Sequence, residues 1–220
     1  MAATRHAPAR RVWLFDLDNT LHDANPHIFP HINRSMTDYL MRHLQLDEAA
    51  ADALRLDYWH RYGATLLGLM RNHGTDPAHF LRETHQFPQL GRMLVFNRAL
   101  AGRLRQLPGR KVLFSNAPAA YAQAVLRGIG LEHSFEAVFG IEQLDLQPKP
   151  QTRAFRRVLH GLRLPAHRCV LVEDTLPNLR AAKALGMGTV WVSRSSVHPA
   201  YVDVKLRNIL DLRRAAHLVR

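Results

Sequence analysis

Two aspartates one residue apart, Asp16 and Asp18, close the apolar run Val12 to Phe15 in the segment RRVWLFDLDNTLH, residues 10–22. Acidic side chains form strands poorly and cost free energy to bury unless something pairs with them. In α/β proteins ligands bind at the C-terminal ends of parallel strands, so the pair marks a candidate site whose partners must come from elsewhere in the chain. Three further segments carry matching chemistry. KVLFSNAP ends in Ser115 and Asn116, a hydroxyl and backbone N–H groups at a helix entrance, which suit an oxyanion. DLQPKP holds Lys149 between Pro148 and Pro150, and CVLVEDTLPN supplies Glu173 and Asp174. Carboxylates without histidine or cysteine beside them suit a hard cation such as Mg²⁺, which takes one or two protein carboxylates and keeps its other positions for water and phosphate. Lys149 and Ser115 would then take the phosphate oxygens that the cation does not reach. Four acidic groups packed together repel strongly unless a divalent ion and the lysine compensate them. Taken singly, each segment has a plain structural reading: a turn, a helix start, a solvated lysine, an acidic first turn.

These residues must be positioned by secondary structure. Five short apolar runs read as buried parallel strands: Val12 to Phe15, Lys111 to Ser115, Ala137 to Phe139, Cys169 to Glu173 and Thr189 to Val192. Between the last four lie helical stretches, PAAYAQAVLRGIG, KPQTRAFRRVLHG and LPNLRAAKALGMG, punctuated by proline at their starts and glycine at their ends. Strands alternating with helices predict a doubly wound α/β parallel sheet. From His22 to Phe96 the pattern is helical only, with Asp47 and Asp76 as N-caps and Pro77 at a first helical position. That interval far exceeds the dozen or so residues of an ordinary crossover. The expected organisation is a basic tail over 1–11, a core over 12–21 and 97–220, and an inserted helical lobe over 22–96, seated above Asp16 and Asp18.

The chain has 220 residues, 47% of them hydrophobic and 22% charged, enough for one core and a small second lobe. No apolar run approaches the roughly 18 residues of a membrane span, and the N-terminal segment lacks a secretory pattern. A single cysteine, Cys169, excludes an internal disulfide and fits a reducing, cytoplasmic setting. The net charge of +12 raises nucleic acid as a partner. The 30 basic residues are spread along the chain, however, and no zinc-finger spacing, aromatic RNA-binding motif or basic recognition helix accompanies them. A small anionic substrate fits the charge equally well.

FDLDNTL, FSNAP, KP and LVEDTLPN, in this order, resemble the four motifs of the haloacid dehalogenase superfamily over Val12 to Val192. The resemblance implies a Rossmann-like sheet with a helical cap of the type inserted after the first strand. It implies a phosphatase in which Asp16 is the nucleophile that forms an aspartyl-phosphate and Asp18 the general acid and then base. Ser115, Asn116 and Lys149 would bind the phosphoryl group. Asp16, the Asp18 backbone carbonyl and Asp174 would ligate Mg²⁺, with Glu173 a ligand or a support. Asn19 stands where many members have glycine. Members that dehalogenate lack an aspartate at the position of Asp18, so the resemblance disfavours that reaction.

Within the superfamily, DLDNTLH with YWHRYGATLLGLM is similar to the pyrimidine 5′-nucleotidase-like subgroup. This implies a nucleoside 5′-monophosphate as substrate, with His22, Tyr62 and Thr65 as contacts to it. Tyr58, Trp59 and Tyr62 also read simply as aromatics packed on an amphipathic helix. His22, His27 and His31 are not read as a transition-metal site, because Pro26 and Pro30 interrupt a regular helical face. Two alternatives remain: a sugar-phosphate or phosphoglycolate phosphatase or phosphomutase, and, more distantly, a non-catalytic binding protein on the same fold.

Overall fold

The computed structural model describes residues 11–219, so the expected basic tail lies outside them except for Arg11. Its centre is strand β1 (Val12–Phe15), all four residues buried. Alternate side chains of a strand point to opposite faces. Trp13 and Phe15 accordingly join one apolar cluster, and Val12 and Leu14 the other. A strand apolar on both faces must be covered on both, as in an interior parallel strand.

After β1 the chain runs through six helices before it returns to the sheet: α1 (Ile28–Leu44), α2 (Glu48–Tyr62), α3 (Thr65–His73), α4 (Pro77–Thr84), α5 (Leu90–Met93) and α6 (Leu100–Gln106). Asp47 caps α2 by accepting from the Ala50 N–H at 2.8 Å. Asp76 caps α4 from the Ala78 and His79 N–H groups, with Pro77 at the first position. Pro30 does not interrupt α1. It falls in the first turn, where a missing N–H removes no intrahelical bond. The two segments that join the first five of these helices, the helical layer, to the sheet meet where the Asp23 N–H donates to the Val95 carbonyl at 2.8 Å; α6 packs with the sheet.

The remaining elements alternate as expected: β2 (Arg110–Phe114), α7 (Ala119–Gly128), β3 (Ala137–Phe139), α8 (Thr152–Leu162), β4 (Cys169–Glu173), α9 (Leu176–Ala184) and β5 (Gly188–Val192). The structure adds a sixth strand, β6 (Val204–Leu206), and a run of 3₁₀ turns over Ile209–Val219 that the sequence pattern does not signal. Unlike β3, an unbroken apolar run of the same length at the opposite edge, β6 has Lys205 at its centre and offers no continuous apolar run. The sheet is parallel in the order β3-β2-β1-β4-β5-β6. Sequence and structure therefore agree on a doubly wound, Rossmann-like α/β fold.

Register decides what meets at the carboxyl edge. Phe15 pairs with Leu113 on one side and Val172 on the other, so the next residues, Asp16, Phe114 and Glu173, lie level. The Asp16 N–H continues the ladder to the Val172 carbonyl at 3.0 Å. Gly140, just past β3, lets the chain approach the start of α7: a Cβ there would lie 2.4 Å from the Ala119 nitrogen and 2.7 Å from its Cα. Both obstacles are backbone and yield little. Gly140→Ala is therefore expected to destabilise the protein by about 1–3 kcal/mol, read as a lowered urea midpoint at unchanged slope.

Candidate active site

The end of β1 delivers Asp16, the end of β2 delivers Ser115, and the end of β4 delivers Glu173 and Asp174. Lys149 comes from the loop between β3 and α8, and its entire side chain is buried. Its ammonium donates to Asp16 Oδ1 at 2.7 Å, to Glu173 Oε2 at 2.7 Å and to the Phe114 carbonyl at 2.8 Å. All three ammonium donors are thus placed. Asn116 holds the lysine's backbone from both sides: its Nδ2 donates to the Lys149 carbonyl at 3.0 Å, and its Oδ1 accepts from the Lys149 N–H at 2.7 Å. The Asn116 side chain is thus occupied in locating Lys149, which leaves its backbone N–H as the group it can offer an oxyanion.

Glu173 has no oxygen to spare. Oε2 also accepts from Asn178 Nδ2 at 3.0 Å, and Oε1 accepts from the N–H groups of Asp174 and Thr175, both at 3.2 Å. Of the two roles considered for it, ligand or support, these bonds favour support. Asn178 carries this arrangement and escapes a reading of the sequence, although it closes the LVEDTLPN motif. The Ser115 Oγ accepts from the Ala117 N–H at 3.1 Å, which leaves its own O–H to donate. Asp174 is partly exposed, and the indole Nε1 of Trp191 donates to its carbonyl at 2.8 Å.

Charge accumulates here faster than the protein neutralises it. Burial above all, with Glu173 alongside, pushes the Asp16 carboxyl up to about 7 against the pull of the Lys149 ammonium. Burial likewise raises Glu173 and Asp174 above the ordinary carboxylate range. Burial opposes the charge on Lys149, but Asp16 and Glu173 outweigh it and hold the ammonium above its usual value. Oxygen atoms of Asp16, Glu173 and Asp174 lie within 4.8 Å of one another. Three carboxylates face one ammonium, and every donor atom is a hard oxygen. That set fits a divalent cation such as Mg²⁺, with Asp16 and Asp174 the carboxylates that can still turn toward it.

Asp18 stands beside this cluster in a separate network. Its Oδ1 accepts from the Tyr121 hydroxyl at 2.8 Å and contacts His22 Nε2 at 2.8 Å. Asn19 adopts the left-handed conformation at φ 61°, which explains how a position open to glycine accepts asparagine. Its Oδ1 accepts from the Ala24 N–H at 3.0 Å and closes the turn.

The residues expected to touch substrate from the helical layer are placed differently. The His22 side chain is fully buried behind Asp18, so it is a neighbour of the acid rather than a surface for ligand. Thr65 is buried, and its hydroxyl donates to the Arg55 carbonyl at 3.0 Å across the α2–α3 hairpin. The Tyr62 ring packs 5.6 Å from that of Tyr58, and its hydroxyl accepts from Asn72 at 3.3 Å. Both side chains serve the packing of the hairpin. Tyr121, which does reach the site, gives no signal in the sequence beyond its place in the first turn of a helix entered from SNAP.

Comparison with known proteins agrees with this geometry. Residues 11–186 match the haloacid dehalogenase-like hydrolase family. A phosphoglycolate phosphatase of Rhodospirillum rubrum is 30% identical over 82% of this chain and 78% of its own length. A phosphoglycolate phosphatase of Colwellia psychrerythraea is 25% identical over 82% and 83%. In fold, the chain is similar to a phosphatase of the same superfamily from Thermococcus onnurineus, with a TM-score of 0.63, 21% identity and coverage of 96% of this chain and 99% of that one. With its acidic cluster, buried lysine and serine gathered at one edge of such a sheet, the chain belongs to the haloacid dehalogenase-like hydrolases and is a phosphatase.

Proposed function

We propose that the chain is a Mg²⁺-dependent hydrolase of small phosphomonoesters that works through an aspartyl-phosphate on Asp16. The observation that carries this reading is the Lys149 ammonium, held 2.7 Å from both Asp16 and Glu173 with the Asp174 carboxylate close by. An Asp16 oxygen attacks phosphorus as the bond to the leaving oxygen breaks, and Asp18 gives that oxygen its proton. A water then loses a proton to Asp18 and attacks phosphorus, the bond to Asp16 breaks, and phosphate departs. Splitting hydrolysis this way replaces one difficult displacement with two easier ones. The Ser115 hydroxyl binds a phosphoryl oxygen in both steps, while the Lys149 ammonium, its three protons committed to Asp16, Glu173 and the Phe114 carbonyl, contributes positive charge beside the phosphoryl group rather than a direct bond. Asp16, Asp174 and the Asp18 carbonyl would hold the cation, which would supply positive charge that keeps Asp16 ionised and screens it from the incoming anion. The helical layer over 22–96 acts as the cap that excludes water. Its setting is the cytoplasm, where burial keeps Cys169 an unreactive thiol raised to about 11.

For the ester itself, the relatives named phosphoglycolate phosphatase support a small hydroxy-acid phosphate. The YG-T-L-GL stretch supports a nucleoside 5′-monophosphate, but Thr65 and Tyr62 within it are taken up by packing. A small, anionic ester is the reading we favour. Phosphate release across a panel of 2-phosphoglycolate, sugar phosphates and nucleoside monophosphates tests it, and a nucleotide turned over at much higher kcat/KM than every small ester would reverse the choice.

Asp16→Asn is expected to abolish turnover on every ester, because an amide is a poor nucleophile; wild-type rates would remove Asp16 from that role. Chelation with EDTA should stop phosphate release and added Mg²⁺ should restore it, followed with a colorimetric phosphate assay. Lys149→Met leaves Asp16 and Glu173 buried without their counter-charge. Its expected cost is about 3–5 kcal/mol of folding free energy, measured by urea denaturation.

A further inference from the structure

Asp18 is gripped on one side only. Both of its side-chain hydrogen bonds among the described residues fall on Oδ1, from Tyr121 Oη at 2.8 Å and His22 Nε2 at 2.8 Å. A carboxyl oxygen so placed is an acceptor, so His22 must donate and carries its proton on Nε2. The opposite tautomer would aim a lone pair at an oxygen lone pair and bury an unpaired N–H. His22 Nδ1 has no hydrogen-bond partner among the described residues, although its side chain is fully buried. A polar atom kept unpartnered in the core calls for an explanation, and here the ring's one N–H is committed to Asp18. Tyr121 reaches Asp18 from α7, and its ring packs against two residues that follow or end α4: Phe87 at 5.1 Å and His85 at 6.0 Å between centroids. The two donors therefore come from the turn after β1 and from α7, and the second is backed by the helical layer.

We propose that His22 and Tyr121 form a two-donor clamp that positions Asp18, pinning Oδ1 so that the catalytic proton is carried on Oδ2. With both donors on Oδ1, Oδ2–H delivers its proton to the leaving oxygen as the phosphorus–oxygen bond breaks and the bond from Asp16 forms. The resulting carboxylate keeps the same two bonds, so the side chain does not reorient before it takes a proton from water. His22 and Tyr121 are positioning residues: they touch the acid and not the ester. The inference rests on the reading of Asp18 as general acid given above.

The test exploits leaving-group dependence. A nitrophenolate departs without a proton, whereas an alkoxide needs one, and kcat/KM reports the steps through leaving-group departure. The ratio of kcat/KM for p-nitrophenyl phosphate to that for 2-phosphoglycolate, or for whichever alkyl ester the panel shows is turned over fastest, is measured in the wild type, Tyr121→Phe, His22→Leu and Asp18→Asn. The ratio is expected to rise about 10- to 100-fold in both clamp variants, as for small misplacements of a reacting group, and further in Asp18→Asn. Loss of folded protein or of general packing lowers both rates together and leaves the ratio where it was. A ratio within threefold of wild type in either clamp variant, with Asp18→Asn raised, overturns the two-donor clamp. A ratio unmoved in Asp18→Asn overturns the acid role itself, and the clamp with it.

Discussion

An ammonium ion sealed inside the sheet edge is the constraint on which this molecule turns. Lys149 is stripped of water, and an isolated charge cannot remain there. Asp16, Glu173 and the Phe114 carbonyl each take one of its protons, and each belongs to a different strand end. The lysine can be satisfied only if β1, β2 and β4 finish at the same level. The two-sided grip of Asn116 on the Lys149 backbone removes the remaining freedom of that loop.

The same burial makes the site demand something more. Taking carboxylates from water raises the free energy of their charged form, and one ammonium cannot offset three of them. A divalent cation would offset the negative charge that the ammonium leaves uncompensated. The arrangement also gives the acids different roles. Glu173 is engaged by four protein donors, whereas Asp16 is bonded to Lys149 through Oδ1 and Asp174 is partly exposed. Asp18, outside that cluster, meets the Tyr121 hydroxyl and the His22 ring instead of an ammonium.

The helical layer contributes through packing more than through side chains that reach down to a ligand. Tyr62 and Thr65 stabilise the α2–α3 hairpin, and Gly68 admits the Tyr58 ring so closely that a Cβ there would sit 2.3 Å from it. A conspicuous aromatic and hydroxyl pattern at helical spacing thus serves a tight helix–helix contact. Periodicity reports burial; it does not say whether what buries a residue is protein or substrate.

Much of the core is legible from local pattern. Apolar runs ending in acids, helices opened by proline and closed by glycine, and the aspartate caps at Asp47 and Asp76 are short-range signals, and each depends on a few adjacent residues. From them the sequence by itself determined the class of fold, the run of helices after the first strand, and which acids and which serine fall at the strand ends, with the lysine in the loop before α8. It did not determine which oxygen of which acid is free. The engagement of Asn116 with the Lys149 backbone, the saturation of Glu173 by Asn178, and the approach of Tyr121 to Asp18 join residues 33, 5 and 103 positions apart. The edge strand β6 escapes for a different reason, since Lys205 breaks its apolar run whereas β3, just as short, is apolar throughout. Hydrogen-bond partnership is a matter of ångströms and of competition among several donors for one acceptor, and only the packed tertiary structure decides that.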